Sequence, residues 1–356
     1  MTSSPAAESR LQKSSDSVFG VDNQTVSVVI PCFNEERFIG KALEQLADQY
    51  DQERYEILVV DGHSEDRTRA VVAEFKTAHP DVSITVIDNP ARNIPTALNL
   101  GIAEARGNII ARMDAHAMPS AGYIRRCVEV LQQEDVGVVG MPCHVRAGAG
   151  TLTARAIAAA VSHPFGIGDA KYRLTEGGLL QQPVDTVAFA CFKKSLWLQL
   201  NGYNESLLTN EDYDFNYRVR LTGQLVILDR SGHCDYFART TVRNLARQYL
   251  RYGRWKARMI KLHPGSIKLR HLVAPAFVLS LALLSLLGVF WTPLFGLLAL
   301  EVAVYAVFAL GFGWQAMKRS DAGIDMWLVM PLIFLTIHLA WGASFLLGLF
   351  RQPRSA

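Results

Sequence analysis

The chain has 356 residues, of which 50% are hydrophobic and only 19% charged, and its mean hydropathy is +0.13, a balance that excludes a wholly water-soluble globule. Lys and Arg number 36 against 33 Asp and Glu, for a net charge of +3, which excludes a surface built to neutralise nucleic-acid phosphates along its whole length. The length leaves room for one domain of about 250 residues and something further.

Residues 1 to 24 are rich in Ser, Ala, Asp and Glu and have no apolar run, so they predict a flexible tail and neither a signal peptide nor a helix. Val26–Pro31 and Glu56–Asp61 are β-branched runs that stop at turn-forming residues. Between them, Glu35 to Tyr50 carries Phe38, Ile39, Ala42, Leu43, Leu46 and Ala47 at helical spacing. Ser64 is placed to cap a helix from about Asp66 to Thr77. Ser83–Asp88 reads as a strand, Ile94 to Ala105 as a helix and Ile109–Asp114 as a fourth strand ending on a carboxylate. This alternation predicts an α/β domain with a mainly parallel, Rossmann-like sheet, whose ligand site lies at the carboxyl ends of the strands.

A dinucleotide at that edge would need a glycine-rich turn after the first strand, but the turn reads Pro31-Cys32-Phe33-Asn34-Glu35. Gly148-Ala149-Gly150 has Thr153 where a third glycine belongs, and no phosphate-binding G-x-x-x-x-G-K-[ST] loop exists. The strand ends offer instead Asn34 and Glu35, Asp61, and Asp114 with His116. A carboxylate can accept from a ribose hydroxyl or a base N–H, and a carboxylate with an imidazole two residues on can hold a divalent cation against a diphosphate. Together they point to a sugar-nucleotide site, although Asp61 alone would equally serve as a loop cap. The five cysteines (Cys32, Cys127, Cys143, Cys191, Cys234) form no C-x-x-C, as expected of reduced thiols in a domain facing the cytosol. His233 beside Cys234 is the nearest approach to a metal pair, and sequence neighbours do not normally share one tetrahedral ion.

The last third changes character. Leu272 to Trp291, Leu294 to Gly313 and Trp327 to Phe350 are nearly free of charge, and each is long enough at about 1.5 Å per residue to cross a hydrocarbon core. They predict three transmembrane helices after a domain spanning residues 25–238 and a basic segment, 239–271. Glu301 falls inside the second span, and Lys318, Arg319, Asp321 and Asp325 mark a loop before the third. The basic segment carries Arg243, Arg247, Arg251, Arg254, Lys256, Arg258, Lys261, Lys268 and Arg270, which places the large domain on the cytoplasmic side of an inner or plasma membrane. Three spans would then leave the C-terminus outside, against the pull of Arg351 and Arg354. Leu245, Tyr249, Tyr252, Trp255 and Met259 recur at helical spacing among the basic residues, predicting an amphipathic helix with its apolar face among lipid headgroups.

Several motifs in order resemble glycosyltransferase family 2, the inverting enzymes of the GT-A fold. Val28-Val29-Ile30-Pro31 with Asn34-Glu35 is similar to the family's opening, Val60-Asp61-Gly62-His63-Ser64-Glu65-Asp66-Arg67-Thr68 to its VDGxSxDxT, and Ala97, Asn99 and Gly101 to its AxNxG. Asp114-Ala115-His116 stands where the metal-binding D-x-D belongs, and Asn210-Glu211-Asp212-Tyr213 where the catalytic base belongs. Gln248, Arg251 and Tyr252 partly resemble the Q-x-x-R-W of membrane synthases, with Trp255 displaced by three residues. Together with the spans, these look most like the succinoglycan-biosynthesis subgroup.

The resemblance implies donor binding by Pro31, Asn34, Glu35, Asp61, Arg92 and Asp114, metal binding by Asp114 and His116, and a base at Asp212 assisted by Glu211. It implies further that Gln248, Arg251, Arg254 and Trp255 serve the diphosphate or acceptor. The ion would be Mn²⁺ or Mg²⁺, with His116 in place of a second Asp favouring Mn²⁺. The implied partners are a nucleotide-sugar donor (a UDP-sugar), a polyprenyl-diphosphate-linked saccharide acceptor, membrane lipid and other glycan-assembly enzymes, with no nucleic acid. A polyprenyl-phosphate sugar synthase is the alternative enzyme, and a nucleotide-binding membrane scaffold the non-catalytic one.

Overall fold

The computed structural model describes residues 24–174, 177–320 and 322–351, so the predicted N-terminal tail lies outside the described residues but for its last position. Strands β1 (Val26–Cys32), β2 (Tyr55–Asp61), β3 (Ile84–Asp88) and β4 (Ile109–Arg112) alternate with helices α1 (Ile39–Leu46), α2 (Thr68–Ala78) and α3 (Ile94–Glu104). Beyond them come β5 (Met118–Pro119), α4 (Tyr123–Val130), β6 (Val136–Gly140), β7 (Cys143–Arg146), α5 (Leu152–Ala160) and α6 (Pro164–Ile167). The domain closes with β8 (Gln181–Pro183), β9 (Cys191–Lys193), α7 (Lys194–Gln199), α8 (Glu211–Leu221), β10 (Leu225–Asp229) and β11 (Cys234–Phe237).

Eight strands form one sheet in the order β3-β2-β1-β4-β9-β6-β10-β8. β1 pairs in parallel with β2 and β4, and β2 with β3, whereas β9 is antiparallel to both β4 and β6. A small second sheet has the order β5-β11-β7. β1 and β2 are continuous apolar runs because both faces of a helix-covered sheet are buried. Alternate side chains of β1 feed two cores: Val28 and Ile30 join Leu43, Ile57, Tyr123 and Ile124 on one face, and Val29 joins Leu98, Ile102, Phe192 and Phe215 on the other.

Three local expectations are corrected. The helix expected from Glu35 begins only at Ile39; Glu35 and Glu36 sit in the turn before it, their backbone N–H groups donating to Thr68 and Asp66 of the next loop. Ser64 does not cap α2, which starts at Thr68 with Arg67 before it; the Ser64 hydroxyl turns to Asp61 instead, donating at 2.5 Å. The fourth strand ends at Arg112, and Asp114 sits in the turn beyond, closed by Ala117 N–H donating to the Asp114 carbonyl at 3.0 Å.

Helix α9 (Val242–Leu262) leads to α10 (Arg270–Gly288), α11 (Pro293–Arg319) and α12 (Ile324–Phe350), the last three each long and apolar enough to cross a membrane. The charged loop expected before the third shrinks, since Lys318 and Arg319 finish α11 and Asp325 opens α12. Glu301 faces α10, accepting from the Ser280 hydroxyl. The apolar face of α9 is not presented to headgroups. Leu245, Tyr249, Ala257 and Met259 are buried, with Gly253 closing against Ser344 and Trp341 of α12. The protein itself covers that face.

Candidate active site

Two loops at the carboxyl ends of β1 and β2 form one wall. Asn34, in the left-handed region at φ 55°, donates its N–H to Ser64 Oγ at 2.9 Å and accepts Glu65 N–H on its side chain at 2.8 Å. Asp61 is fully buried and accepts from Ser64 N–H, Ser64 Oγ and Arg69 Nε, the last at 2.6 Å. Arg69 also reaches Asp88. Arg92 (φ 52°) pairs with Glu65 at 3.1 Å and lies 5.5 Å from the centre of the half-exposed Phe33 ring. Pro31 occupies the β1 register position opposite Val60. The wall is therefore laced before any ligand arrives, with Phe33 and Arg92 at its rim.

The opposite wall is organised by Arg112, which the sequence reading did not single out. It ends the central strand β4, is 6% exposed, and sends Nη2 to Asp114 Oδ1 at 2.8 Å and toward Glu211 Oε1 at 3.7 Å. Burial works against its charge, but Asp114, Glu211 and Asp212 outweigh that and raise its pKa. Glu211 and Asp212 open α8 directly after Asn210, whose left-handed φ of 71° turns the chain into the helix. Burial, followed by the adjacent Asp212 charge, pushes Glu211 up to about 8 against the pull of Arg112. Asp212 is half-buried and accepts Tyr213 N–H at 2.7 Å. Asp214, by contrast, is an anchor: fully buried, it binds Arg218 at 2.7 Å and His263 at 2.8 Å.

His116 links the two walls through Nδ1, 3.0 Å from Glu35 Oε1. Burial disfavours its protonation, but the Glu35 hydrogen bond and the Asp114 and Glu35 charges prevail and raise its pKa. Of the two residues expected to hold a cation, Asp114 is held by Arg112 through Oδ1 at 2.8 Å, and His116 has the support a ligand needs. A carboxylate that holds Nδ1–H is the usual support of a ligating imidazole, it leaves Nε2 facing away from Glu35, and an arriving ion displaces the extra proton. Among the described residues the cluster that brings three ligand atoms within 4.8 Å of one another is His144, His233 and Asp235. There, however, the imidazoles stack at 4.0 Å and 15°, so their in-plane lone pairs do not converge, and Arg146 already pairs with Asp235 at 3.0 Å. His233 thus keeps company with His144 and not with Cys234, and all five cysteines are free and buried.

Helix α9 supplies the floor. Gln248 is buried and donates to Tyr252 Oη at 2.9 Å and Tyr236 Oη at 3.2 Å, and the Tyr236 ring lies 6.1 Å from His116. Arg251 is exposed over Tyr252, and Arg254 is exposed; no contact brings either to Asp114 or Asp212. Trp255 packs on the cluster of Leu207, Tyr213 and Met259. Two cations to which the sequence reading gave no place in the site lie here, Lys256 buried and Arg173 half-buried. Arg173 lies 5.5 and 5.6 Å from the ring centres of Tyr172 and Tyr236, and no ion pair joins it to a carboxylate among the described residues. Lys256, 3% exposed, places Nζ 3.2 Å from the Tyr213 ring centre; burial pushes it down to about 7, with Asp212 pulling the other way. Both Arg112 and Lys256 left a trace in the sequence, as charges at positions whose period belongs to a core.

Residues 27–196 match the family described as glycosyl transferase family 2. The chain is 29% identical over 324 residues to the succinoglycan biosynthesis protein ExoA of Rhizobium meliloti (strain 1021), covering 89% of this chain and 93% of that one. It is 27% identical over 241 residues, 66% of this chain and 74% of the other, to a dolichyl N-acetyl-alpha-D-glucosaminyl phosphate 3-beta-D-2,3-diacetamido-2,3-dideoxy-beta-D-glucuronosyltransferase of Methanococcus voltae. In three dimensions it resembles the mannosyltransferase PcManGT from Pyrobaculum calidifontis, solved with GDP-Man and Mn²⁺, with a TM-score of 0.61 and 20% identity over 94% of this chain and 92% of that one. Residues 27–196 therefore fit a glycosyl transferase family 2 domain, and the chain shares the GT-A fold.

Proposed function

We propose that the chain is an inverting, metal-dependent glycosyltransferase that moves a sugar from a nucleotide-diphosphate donor to a hydroxyl of a lipid-linked saccharide at a membrane surface. The observation that carries the reading is the Arg112 junction, which couples the donor-side carboxylate Asp114 to the acceptor-side pair Glu211 and Asp212. The floor of that junction is a helix that runs on into membrane-length apolar helices. The solved relative with GDP-Man and Mn²⁺ and the relatives named for succinoglycan and dolichyl-linked sugars fit the same reading.

In this reading Asp212 takes the proton of the acceptor hydroxyl, and Glu211, held by Arg112, orients the acceptor. The loops around Asn34, Asp61 and Arg92 receive the nucleoside. Asp114 and His116 would hold the ion, which supplies positive charge against the departing diphosphate. Arg173, over the Tyr236 ring that neighbours His116, offers further positive charge.

One observation favours a second reading. Arg173, half-buried over Tyr172 and Tyr236 and joined to no carboxylate among the described residues, suits an acceptor that is itself a phosphate, as in a polyprenyl-phosphate sugar synthase. Incubating membranes with a panel of labelled nucleotide sugars, extracting the lipid and weighing the product separates the two. Sugar on a saccharide hydroxyl supports the first reading, and sugar esterified to a lipid monophosphate overturns it.

A further inference from the structure

We infer that α12 does not cross the bilayer: it lies along the membrane surface beneath the catalytic domain, so that the chain enters the membrane only through the α10–α11 hairpin and returns its C-terminus to the catalytic side. The inference rests on the membrane association proposed above and revises the three-span expectation.

The argument starts from what α12 touches along its length. Near its start, Trp327 Nε1 donates to the Leu310 carbonyl of α11 at 2.8 Å, five residues before Gln315, whose side chain bonds His163 of the catalytic domain at 3.0 Å. At mid-helix the Phe334 and His338 rings meet Phe165, each at 5.0 Å between centres, and His338 Nε2 lies 2.7 Å from the Phe165 carbonyl. Gly342 then abuts Ala274 at the base of α10, and Gly348 abuts Arg254 and Ala257 of α9. At the far end Lys261 Nζ donates to the carbonyls of Gly348 and Arg351, both at 3.0 Å.

These contacts cannot coexist with a span. Seventeen residues separate Phe334 from Arg351, about 25 Å of helix at 1.5 Å per residue, which is most of a hydrocarbon core. A crossing helix would carry Arg351 to the far side. Lys261, however, belongs to α9, whose exposed Arg243, Arg247, Arg251 and Arg254 bar it from hydrocarbon. Both ends of α12 are therefore on the catalytic side.

What remains exposed on α12 is a single stripe. Leu328, Leu332, Leu339, Leu347 and Phe350 are 67%, 55%, 37%, 58% and 87% exposed. With the half-buried Leu335, Ala343 and Leu346 they follow a helical period down one face. The most apolar stretches of α10 and α11 are only 22% and 6% buried, whereas that of α12 is 44% buried. An apolar stripe beside an arginine-rich helix suits the boundary between acyl chains and anionic headgroups. The arrangement also puts Arg351 with the other basic residues, as charge bias requires.

The test uses the full chain in sealed vesicles of both orientations and a membrane-impermeant maleimide, with the buried native cysteines silent. Glu53→Cys marks the catalytic side, Thr292→Cys the hairpin tip and Ser355→Cys the C-terminus. Ser355→Cys should label with Glu53→Cys and opposite to Thr292→Cys; labelling with Thr292→Cys overturns the inference. If all three label from one side, the hairpin does not cross and the membrane-inserted reading falls with it. As a second readout, an environment-sensitive fluorophore at Leu328→Cys, Leu339→Cys or Phe350→Cys, read with depth-graded quenchers in vesicles containing anionic lipid, should report one shallow depth. A Leu339 position near the bilayer centre would overturn the in-plane placement.

Discussion

The two walls of the active site are held by different physics. On the nucleotide side, Asn34, Asp61, Ser64, Asp66 and Thr68 satisfy one another and the backbone at 2.5–3.1 Å. That wall resembles a folded turn more than a reactive centre. On the catalytic side Glu211 and Asp212 are adjacent acids, one arginine serves both Glu211 and Asp114, and Lys256 rests on an aromatic ring. Charge there is balanced over the group and not pair by pair, so a single substitution is felt by several partners. In the proposed reading the laced wall supplies fixed geometry for the nucleotide, and the opposite wall holds the electrostatic strain that chemistry can use.

The largest expected effect breaks the catalytic side alone. Asp212→Asn should lower sugar transfer by about 10²–10⁴-fold, the usual loss with a general base, while nucleotide affinity measured by calorimetry stays within a few-fold because the laced wall is intact. Transfer above about a tenth of wild type would remove Asp212 from that role. Arg112→Leu asks whether the balance is shared. Leaving buried Glu211 and Asp114 without their cation should cost about 3–5 kcal/mol of stability, read as a fall in melting temperature in detergent. Adding Glu211→Leu should restore much of it. Independent, additive losses would mean the two residues do not act as a unit.

The same contrast explains what could be read in advance. Lacing on the nucleotide side is local: Asn34-Glu35 and Asp61 to Thr68 act over a few residues, so the sequence displays the contacts almost directly. Even there, Ser64 was misassigned, because a serine before a helix suits a cap as well as it suits a neighbouring Asp61, and only the spacing in space decides. On the catalytic side the partners are far apart in the chain. Arg112 reaches Glu211 through sheet order, and Lys256 comes under the charge of Asp212 through the packing of α9, which no short pattern encodes. Membrane-length helices are plain in composition, but which of them faces lipid all round depends on contacts such as Lys261 to Arg351, close to 90 residues apart.

A smaller effect sharpens the role of α9 in building the catalytic wall. A Cβ at Gly253 would collide with Ser344 Oγ and the Trp341 carbonyl, so Gly253→Val should push α12 off α9 at a cost of about 1–3 kcal/mol. Gln248 and Lys256 lie on α9, which loses that support, and donor turnover should fall with stability, whereas nucleotide affinity should not. An equal loss of nucleotide affinity would show that the two walls are mechanically one.

The smallest effect is a slope, and it isolates Lys256. With a folded pKa of about 7 against a usual value of 10.5, the unfolded chain binds this proton and the folded chain does not between those values. Stability must therefore rise with pH from about 7 to about 10, by at most about 1.4 kcal/mol per pH unit for one group. Below pH 7 both states carry the proton, and the contribution is flat at its unfavourable limit. Urea midpoints of wild type and Lys256→Met, measured across pH 6 to 10, should diverge at the acid end, where the methionine variant is the more stable, and converge at the alkaline end. Parallel stability curves would place Lys256 outside the buried charge network and leave Arg112 as its organising cation.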